Sequence, residues 1–337
     1  MSGARSSSAT ETTGTADLAP GAPVRPYRGR FAPSPTGSLH FGSLVAAVGS
    51  FLEARTRNGV WLVRIEDLDP PRERPGAADE ILRTLERLAL HWDEAVVRQS
   101  ERTALYAEAL ERLERLGLTR ACTCSRAALA ALPANRHRAP GEELYHPPEC
   151  LPSGGAPTPG HAVRLRVPAR PVAFTDRSLG PQSMDVAATV GDFVLRRRDG
   201  LFAYQLAVVV DDAEQGVSEV VRGADLLSST PRQILLQEAL GLPRPGYLHL
   251  PLAVDYNGLK LSKSDNAPAA TLAAPAASIV GVLEFLGQQP PPELAGAGLG
   301  EVWQWARGHW RAERFAGVST RIWGGTSAAG RAGEDHT

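Results

Sequence analysis

Arg30-Phe31-Ala32-Pro33-Ser34-Pro35-Thr36-Gly37-Ser38-Leu39-His40-Phe41-Gly42-Ser43 runs out of an apolar strand end, through a Pro/Gly turn, and into a helix expected over 44–55. Backbone N–H groups and a helix N-terminus converge at such a turn, which makes a ready anion site. His40 at the helix start has a ring N–H for phosphate oxygens, and Gly42 leaves room for a nucleotide base against the backbone. Far along the chain, Lys260-Leu261-Ser262-Lys263-Ser264 is a compact basic loop of the kind that closes over a triphosphate and neutralises departing pyrophosphate. Alone, H-x-G reads as a helix cap and K-x-S-K-S as a solvated turn. The length of the first string and the position of the second, after Leu248-His249-Leu250-Pro251-Leu252, favour phosphate chemistry.

Other residues suit an amino-acid or metal ligand. Arg64-Ile65-Glu66-Asp67-Leu68-Asp69-Pro70-Pro71-Arg72 follows directly from an apolar run, and residues just past a strand's carboxyl end line the ligand crevice of an open α/β sheet. A carboxylate there suits an ammonium group. Cys122-x-Cys124 places two thiols where both can face one ion, and Zn²⁺ takes four ligands. The plain alternative is three reduced thiols without a metal.

These residues need a scaffold. Val60–Ile65 reads as a buried strand after the Asn58-Gly59 turn, so 28–66 forms a β-α-β unit. Residues 76–90 and 101–116 carry helical apolar spacing, Ile81, Leu82, Leu85 and Leu88 in the first and Leu105, Leu110, Leu113 and Leu116 in the second. Residues 121–160 crowd Cys, His, Pro and Gly into a loop-rich insertion. From 161 the chain turns strand-like. Phe193–Leu195 and Leu201–Tyr204 flank an Asp199-Gly200 hairpin turn, which makes Tyr204 a strand residue. Arg196, Arg197 and Arg198 read as a solvated hairpin edge, with contact to RNA phosphate as the alternative. A helix is expected over 231–240, stopped by Gly241, and another over 298–314.

Composition narrows the class. The 337 residues are 43% hydrophobic and 22% charged, ordinary for a globular protein, and the net charge of −1 leaves an RNA partner to a local basic patch. Three cysteines do not make a disulfide scaffold. The absence of a long apolar run argues against a membrane, and residues 1–27 read as a disordered leader of a cytoplasmic protein, with 324–337 as a disordered tail. Oligomeric state is not legible.

The two phosphate-type segments resemble the HIGH and KMSKS signatures of class I aminoacyl-tRNA synthetases. The wording RFAPSPTG-x-L-H-x-G is similar to the glutamyl branch, and the short stretch after Ser264, with Asp69-Pro70-Pro71-Arg72, to truncated relatives of glutamyl-tRNA synthetase. Ser43 departs from the pattern, which has a second His there. The resemblance covers 28–265. It implies a Rossmann-like parallel-sheet α/β catalytic domain (28–120 and 161–265), a zinc-bearing insertion (121–160) and a short C-terminal helical segment (266–323).

The resemblance further implies roles. His40, Gly42, Ser43, Lys260 and Lys263 would bind ATP with its Mg²⁺, with His40 and Lys263 catalytic. Arg30, Phe31, Ala32, Pro33, Ser34, Glu66, Tyr204 and Arg222 would hold L-glutamate, Glu66 on the ammonium. Two carboxylates need at least two cationic or strong-donor partners, and the expected arrangement sets Arg30 and Tyr204 at the side-chain end. One structural Zn²⁺ would sit on Cys122, Cys124, Tyr145 and Cys150, with His146 as the alternative to Tyr145 because it better fits the spacing to Cys150. The acceptor would be the cyclopentenediol of queuosine in the anticodon stem-loop of tRNA(Asp). Two rivals stand beside it, a truncated synthetase charging a tRNA 3′ end and a non-catalytic ATP- or tRNA-binding module derived from a synthetase.

Overall fold

The computed structural model describes residues 26–138, 143–148, 160–261 and 273–323. The leader up to residue 25, Cys150, Ser262 to Ser264 and the 324–337 tail lie outside the described residues.

The chain opens with the expected β-α-β unit. β1 (Arg28–Phe31) leads into α1 (Phe41–Thr56), and β2 (Val60–Ile65) returns parallel to β1, with β3 (Val97–Arg98) parallel on its far side. Between β2 and β3 lies α2 (Ala77–Arg87), and α3 (Thr103–Arg115) follows; Ile81, Leu85, Leu110 and Leu113 are buried as the apolar spacing requires, whereas Leu116 falls past the end of α3 and is exposed. A second sheet has the order β7 (Gly180–Asp185), β6 (Pro171–Asp176), β10 (Gly246–Leu250), β9 (Glu219–Gly223), in which β10 is parallel to both neighbours. The two sheets meet along β1 and β9, where the Ser218 N–H donates to the Arg28 carbonyl and the Arg28 N–H to Ser218 Oγ, both at 2.9 Å. From that seam the strand order runs outward in both directions. Such a reversal leaves a crevice at the carboxyl ends of the two central strands.

Helices cover both faces. On one, α1 packs with α8 (Pro275–Phe285) and α9 (Leu299–His309) in a core containing Leu44, Val48, Phe51, Ile279, Leu283 and Trp303. Trp303 Nε1–H donates to the Leu88 carbonyl (2.9 Å), and Trp310 Nε1–H to Glu53 Oε1 (2.7 Å). On the other face α3, α6 (Tyr204–Glu214) and α7 (Thr230–Leu240) enclose Tyr106, Leu110, Leu206, Val208, Ile234 and Leu236. A small antiparallel sheet of β4 (Thr119–Cys122), β5 (Ala162–Leu165) and β8 (Val194–Arg196) supports the insertion, which holds the short α4 (Arg126–Ala130); α5 (Val186–Thr189) precedes β8. β11 (Leu252–Val254) pairs with β12 (Thr320–Ile322). Among the described residues no helix is long and apolar enough to cross a membrane.

One element differs from expectation. The Asp199-Gly200 turn forms, with Arg197 N–H on the Leu201 carbonyl, but its return arm is a single bridge between Arg196 and Phe202. Tyr204 then opens α6 instead of ending a strand. Val208, Val209 and Val210 favour a strand locally, yet the segment is buried all round, where an apolar run has no periodicity to reveal its state. The C-terminal helix is also shorter than expected, Leu299–His309, with a separate 3₁₀ turn at Ala312–Phe315.

Candidate active site

The loop after β1 and the start of α1 form one wall of a cavity of about 670 Å³ at the β1/β9 reversal. Arg30, Phe31, Ala32, Pro33, Ser34, His40, Gly42, Ser43, Glu66, Tyr204, Arg222 and Lys260 all line it. Five separate parts of the sequence thus converge on one space. The loop is pinned across the crevice: the Glu66 N–H donates to the Pro33 carbonyl and the Arg74 N–H to the Pro35 carbonyl, each at 2.9 Å.

His40 caps α1. Its Nδ1 accepts from the Ser43 N–H (3.2 Å), and Nε2 lies 3.1 Å from Ser43 Oγ. The accepting Nδ1 places the ring proton on Nε2, where it faces Ser43 Oγ. Burial, then the Lys260 charge, lowers the His40 pKa, so the ring is held neutral. A Cβ on Gly42 would stand 3.3 Å from that ring, so this glycine also spaces His40 from its own helix. Lys260 Nζ bonds Asp225 at 2.5 Å from the opposite rim.

The floor is cationic and acidic at once. Arg30 Nε and Nη2 donate to Asp212 (3.1 and 3.3 Å), and Arg64 Nη2 lies 2.8 Å from the same carboxylate. Burial alone would raise Asp212, but Arg30 and then Arg64 hold its carboxyl below the usual range. Glu66, 3.4 Å from Arg64 Nη2, goes the other way: burial raises it, against the pull of Arg64 and Arg30. A carboxylate so desolvated gains from an incoming ammonium. Asp211 accepts from Gln99 Nε2 (2.8 Å), Arg102 Nε (2.6 Å) and the Tyr106 hydroxyl (2.8 Å), which ties α6 to the segment after β3.

Tyr204 and Arg222 form the far wall. Arg222 Nη1 donates to the Tyr204 hydroxyl at 3.3 Å, and burial raises the Tyr204 pKa, so the phenol keeps its proton. The hydroxyl is therefore paired with Arg222, whereas Arg30 is engaged by Asp212.

Away from the cavity, Cys122, Cys124 and His146 bring their ligand atoms within 4.8 Å of one another. His146 Nε2 is 3.2 Å from Cys122 Sγ, and its buried Nδ1 has no partner among the described residues. Burial would raise the Cys122 thiol, but His146 and the Cys124 N–H outweigh it and push it down to about 6. Of the two residues weighed at this position, His146 turns its ring to the sulfur. Tyr145 is clamped by Asn135 through its backbone N–H and carbonyl, and neighbours in extended chain point to opposite sides. Gly191 allows this: a Cβ there would come within 1.9 Å of the His146 carbonyl oxygen. Cys150 and Lys263, expected as fourth ligand and ATP contact, lie outside the described residues.

Sequence reading missed Asp211, Asp212, Arg64, Asp176 and His249. The first three had a signal: charged residues inside or ending fully apolar runs are rarely buried unless paired.

The profile of tRNA synthetases class I (E and Q), catalytic domain, matches residues 26–273. The glutamyl-Q tRNA(Asp) synthetase of Dechloromonas aromatica is 55% identical over 287 residues, 85% of this chain and 94% of that protein. That of Geobacter sulfurreducens is 54% identical over 300 residues, 86% of this chain and 94% of that protein. The crystal structure of glutamate-tRNA synthetase from Elizabethkingia anophelis has a TM-score of 0.73 at 26% identity, over 89% of this chain and 68% of its own. A glutamate tRNA ligase from Elizabethkingia meningosepticum, solved in complex with its amino acid, shares the fold, with a TM-score of 0.70 at 24% identity over 88% of this chain and 66% of its own.

Proposed function

This chain belongs to the class I tRNA synthetase (E and Q) catalytic family, and within it to the glutamyl-Q tRNA(Asp) synthetases; from that premise we propose that it activates L-glutamate with MgATP and transfers it to queuosine in the anticodon of tRNA(Asp). The observation that carries the reading is the single cavity in which Arg30, Glu66, Tyr204 and Arg222 face the His40 helix start. A glutamate carboxylate oxygen attacks the α-phosphorus of ATP, forming the mixed anhydride and releasing pyrophosphate. A hydroxyl of the queuosine diol then takes the acyl group and AMP leaves.

Each residue has a role that its surroundings suit. The α1 N-terminus would meet phosphate oxygens, with the His40–Ser43 pair beside it, where fixed dipoles stabilise developing charge. Lys260 adds a cation on the opposite rim, and by resemblance Lys263 contacts ATP. Glu66 takes the ammonium. Arg222 Nη1 and the Tyr204 hydroxyl take one carboxylate, and Arg30 lies toward the other. Support for the queuosine acceptor comes from the names of the relatives, whose length this chain nearly spans.

The test has two stages. Glutamate should support ATP–pyrophosphate exchange with no tRNA present, with aspartate too short and glutamine leaving a buried arginine unpaired. Labelled glutamate should then attach to queuosine-bearing tRNA(Asp), and to its anticodon stem-loop alone, but not to the same tRNA with guanine there. Ribonuclease mapping of the label to the 3′-terminal adenosine of tRNA(Glu) would overturn the acceptor assignment.

The donor set at Cys122, Cys124 and His146 fits zinc: two thiols and an imidazole lie close together, with His146 Nε2 turned to the Cys122 sulfur. Zinc there would tie the insertion to β4. Elemental analysis should find about one zinc per chain, and Cys122→Ser with Cys124→Ser should release it and open the 121–160 insertion to protease. Activation should persist in that variant. Metal-free wild-type protein with a protease-resistant insertion would rule the zinc out.

A further inference from the structure

Behind Arg222 lies a chain of buried polar groups from three strands. Asp176 ends β6, His249 lies in β10 and Arg222 in β9. Asp176 Oδ2 is 2.6 Å from His249 Nδ1, and Arg222 Nε is 3.2 Å from His249 Nε2. Asp176 and His249 are almost fully shielded from solvent, and neither touches the cavity.

The hydrogen positions follow from chemistry. Asp176 Oδ1 accepts from the backbone N–H groups of Ser178 (3.0 Å), Leu179 (2.9 Å) and His249 (3.3 Å), as an ionised carboxylate does. A carboxylate only accepts, so the His249 proton sits on Nδ1. Guanidinium only donates, so Nε2 must offer its lone pair to Arg222. One tautomer satisfies both neighbours. A second ring proton would set two donors against each other, and burial followed by the Arg222 charge opposes it, although Asp176 favours it.

The remaining Arg222 donors complete the argument. Nη2 donates to Thr230 Oγ1 (2.8 Å) and the Leu226 carbonyl (3.3 Å), and Nη1 to Tyr204. Guanidinium has five N–H groups. Four are committed, and the one left belongs to Nη1, beside the Tyr204 hydroxyl.

We propose that Asp176 and His249 are positioning residues that fix the tautomer facing Arg222 and so aim its one uncommitted N–H at the carboxylate of the bound amino acid. This rests on the glutamate reading above, and it adds a determinant of glutamate affinity outside the pocket. Preorganised donors bind more tightly because their ordering is complete before the ligand arrives.

Asp176→Asn tests it with almost no change of shape. Asn keeps an oxygen for the backbone N–H groups but presents an amide N–H to Nδ1, which drives the ring proton to Nε2, against Arg222. The KM for glutamate should rise by about 10- to 100-fold, the range of one hydrogen bond to a charged group. The KM for ATP and the exchange rate at saturating glutamate should stay within about 2-fold, well below one such bond. His249→Leu, which removes the acceptor, should behave likewise, and His249→Gln, which retains an acceptor near Nε2, should restore most of the glutamate affinity. Imidazole ¹⁵N shifts in labelled protein should show an Nδ1–H tautomer in the wild type and an Nε2–H tautomer in Asp176→Asn. An unchanged glutamate KM in Asp176→Asn, or an Nε2–H tautomer in the wild type, would overturn the proposal. The spectrum needs no substrate, so it decides the tautomer even if wild-type protein fails to activate glutamate and the functional reading falls.

Discussion

Arg222→Leu should lower kcat/KM for glutamate activation by roughly 10²- to 10³-fold, since truncating one partner of a buried, hydrogen-bonded charge costs about 2–5 kcal/mol. Arg222 joins Tyr204, Leu226, Thr230 and His249, so its loss removes a carboxylate partner and strands several polar groups. Lysine should not rescue the activity. A point ammonium on a flexible stem cannot reproduce a planar fork held from several sides. ATP–pyrophosphate exchange over a range of glutamate concentrations gives the number, and a melting curve separates loss of binding from loss of fold. Exchange within a few-fold of wild type in a folded variant would show that the carboxylate is held elsewhere.

Asp211→Ala should destabilise the fold by about 3–5 kcal/mol, because it removes a fully buried carboxylate and leaves Arg102, Gln99 and Tyr106 without their shared acceptor. Asp211 is fully buried and binds Arg102, Gln99 and Tyr106, with Arg64 Nε 3.7 Å away. Arg64 would still have Asp212 and Gln215, which limits the damage on the cavity side. Urea unfolding followed by tryptophan fluorescence measures the loss as a shift in midpoint at unchanged slope. A loss below about 1 kcal/mol, the scale of an exposed pair, would mean that water reaches the network.

The legible parts of this protein were those with local signatures. Apolar spacing marked α2 and α3, Gly241 marked the end of α7, and the Asn58-Gly59 turn followed by a β-branched run marked β2. The string from Arg30 to Ser43 carried both a turn and a helix start, so its side of the cavity could be read directly. Tyr204 opens α6 rather than closing a hairpin, and the sequence conceals this because valines favour strands and a wholly buried helix shows no polar face. The pairing of Asp176 with His249 spans 73 residues and two strands, and no spacing rule connects them. Tyr145 and His146 are neighbours in sequence. Which one meets the sulfur depends on the side of an extended backbone each occupies, and composition does not encode that.

The packing of α9 against α1 sets a timetable for synthesis. Trp310 is bonded to Glu53 across 257 residues, and β1 meets β9 across 190. At about 5–20 residues per second, a nascent chain waits roughly 13–50 s between making α1 and making the helix that covers it. During that interval Leu44, Val48 and Phe51 lack their final neighbours, although β1, α1 and β2 are already made. The N-terminal unit that contributes most of the phosphate-facing wall is therefore among the first parts translated and among the last to be enclosed. A ribosome-bound intermediate of this chain would display an apolar helix face to holding chaperones until α9 emerges.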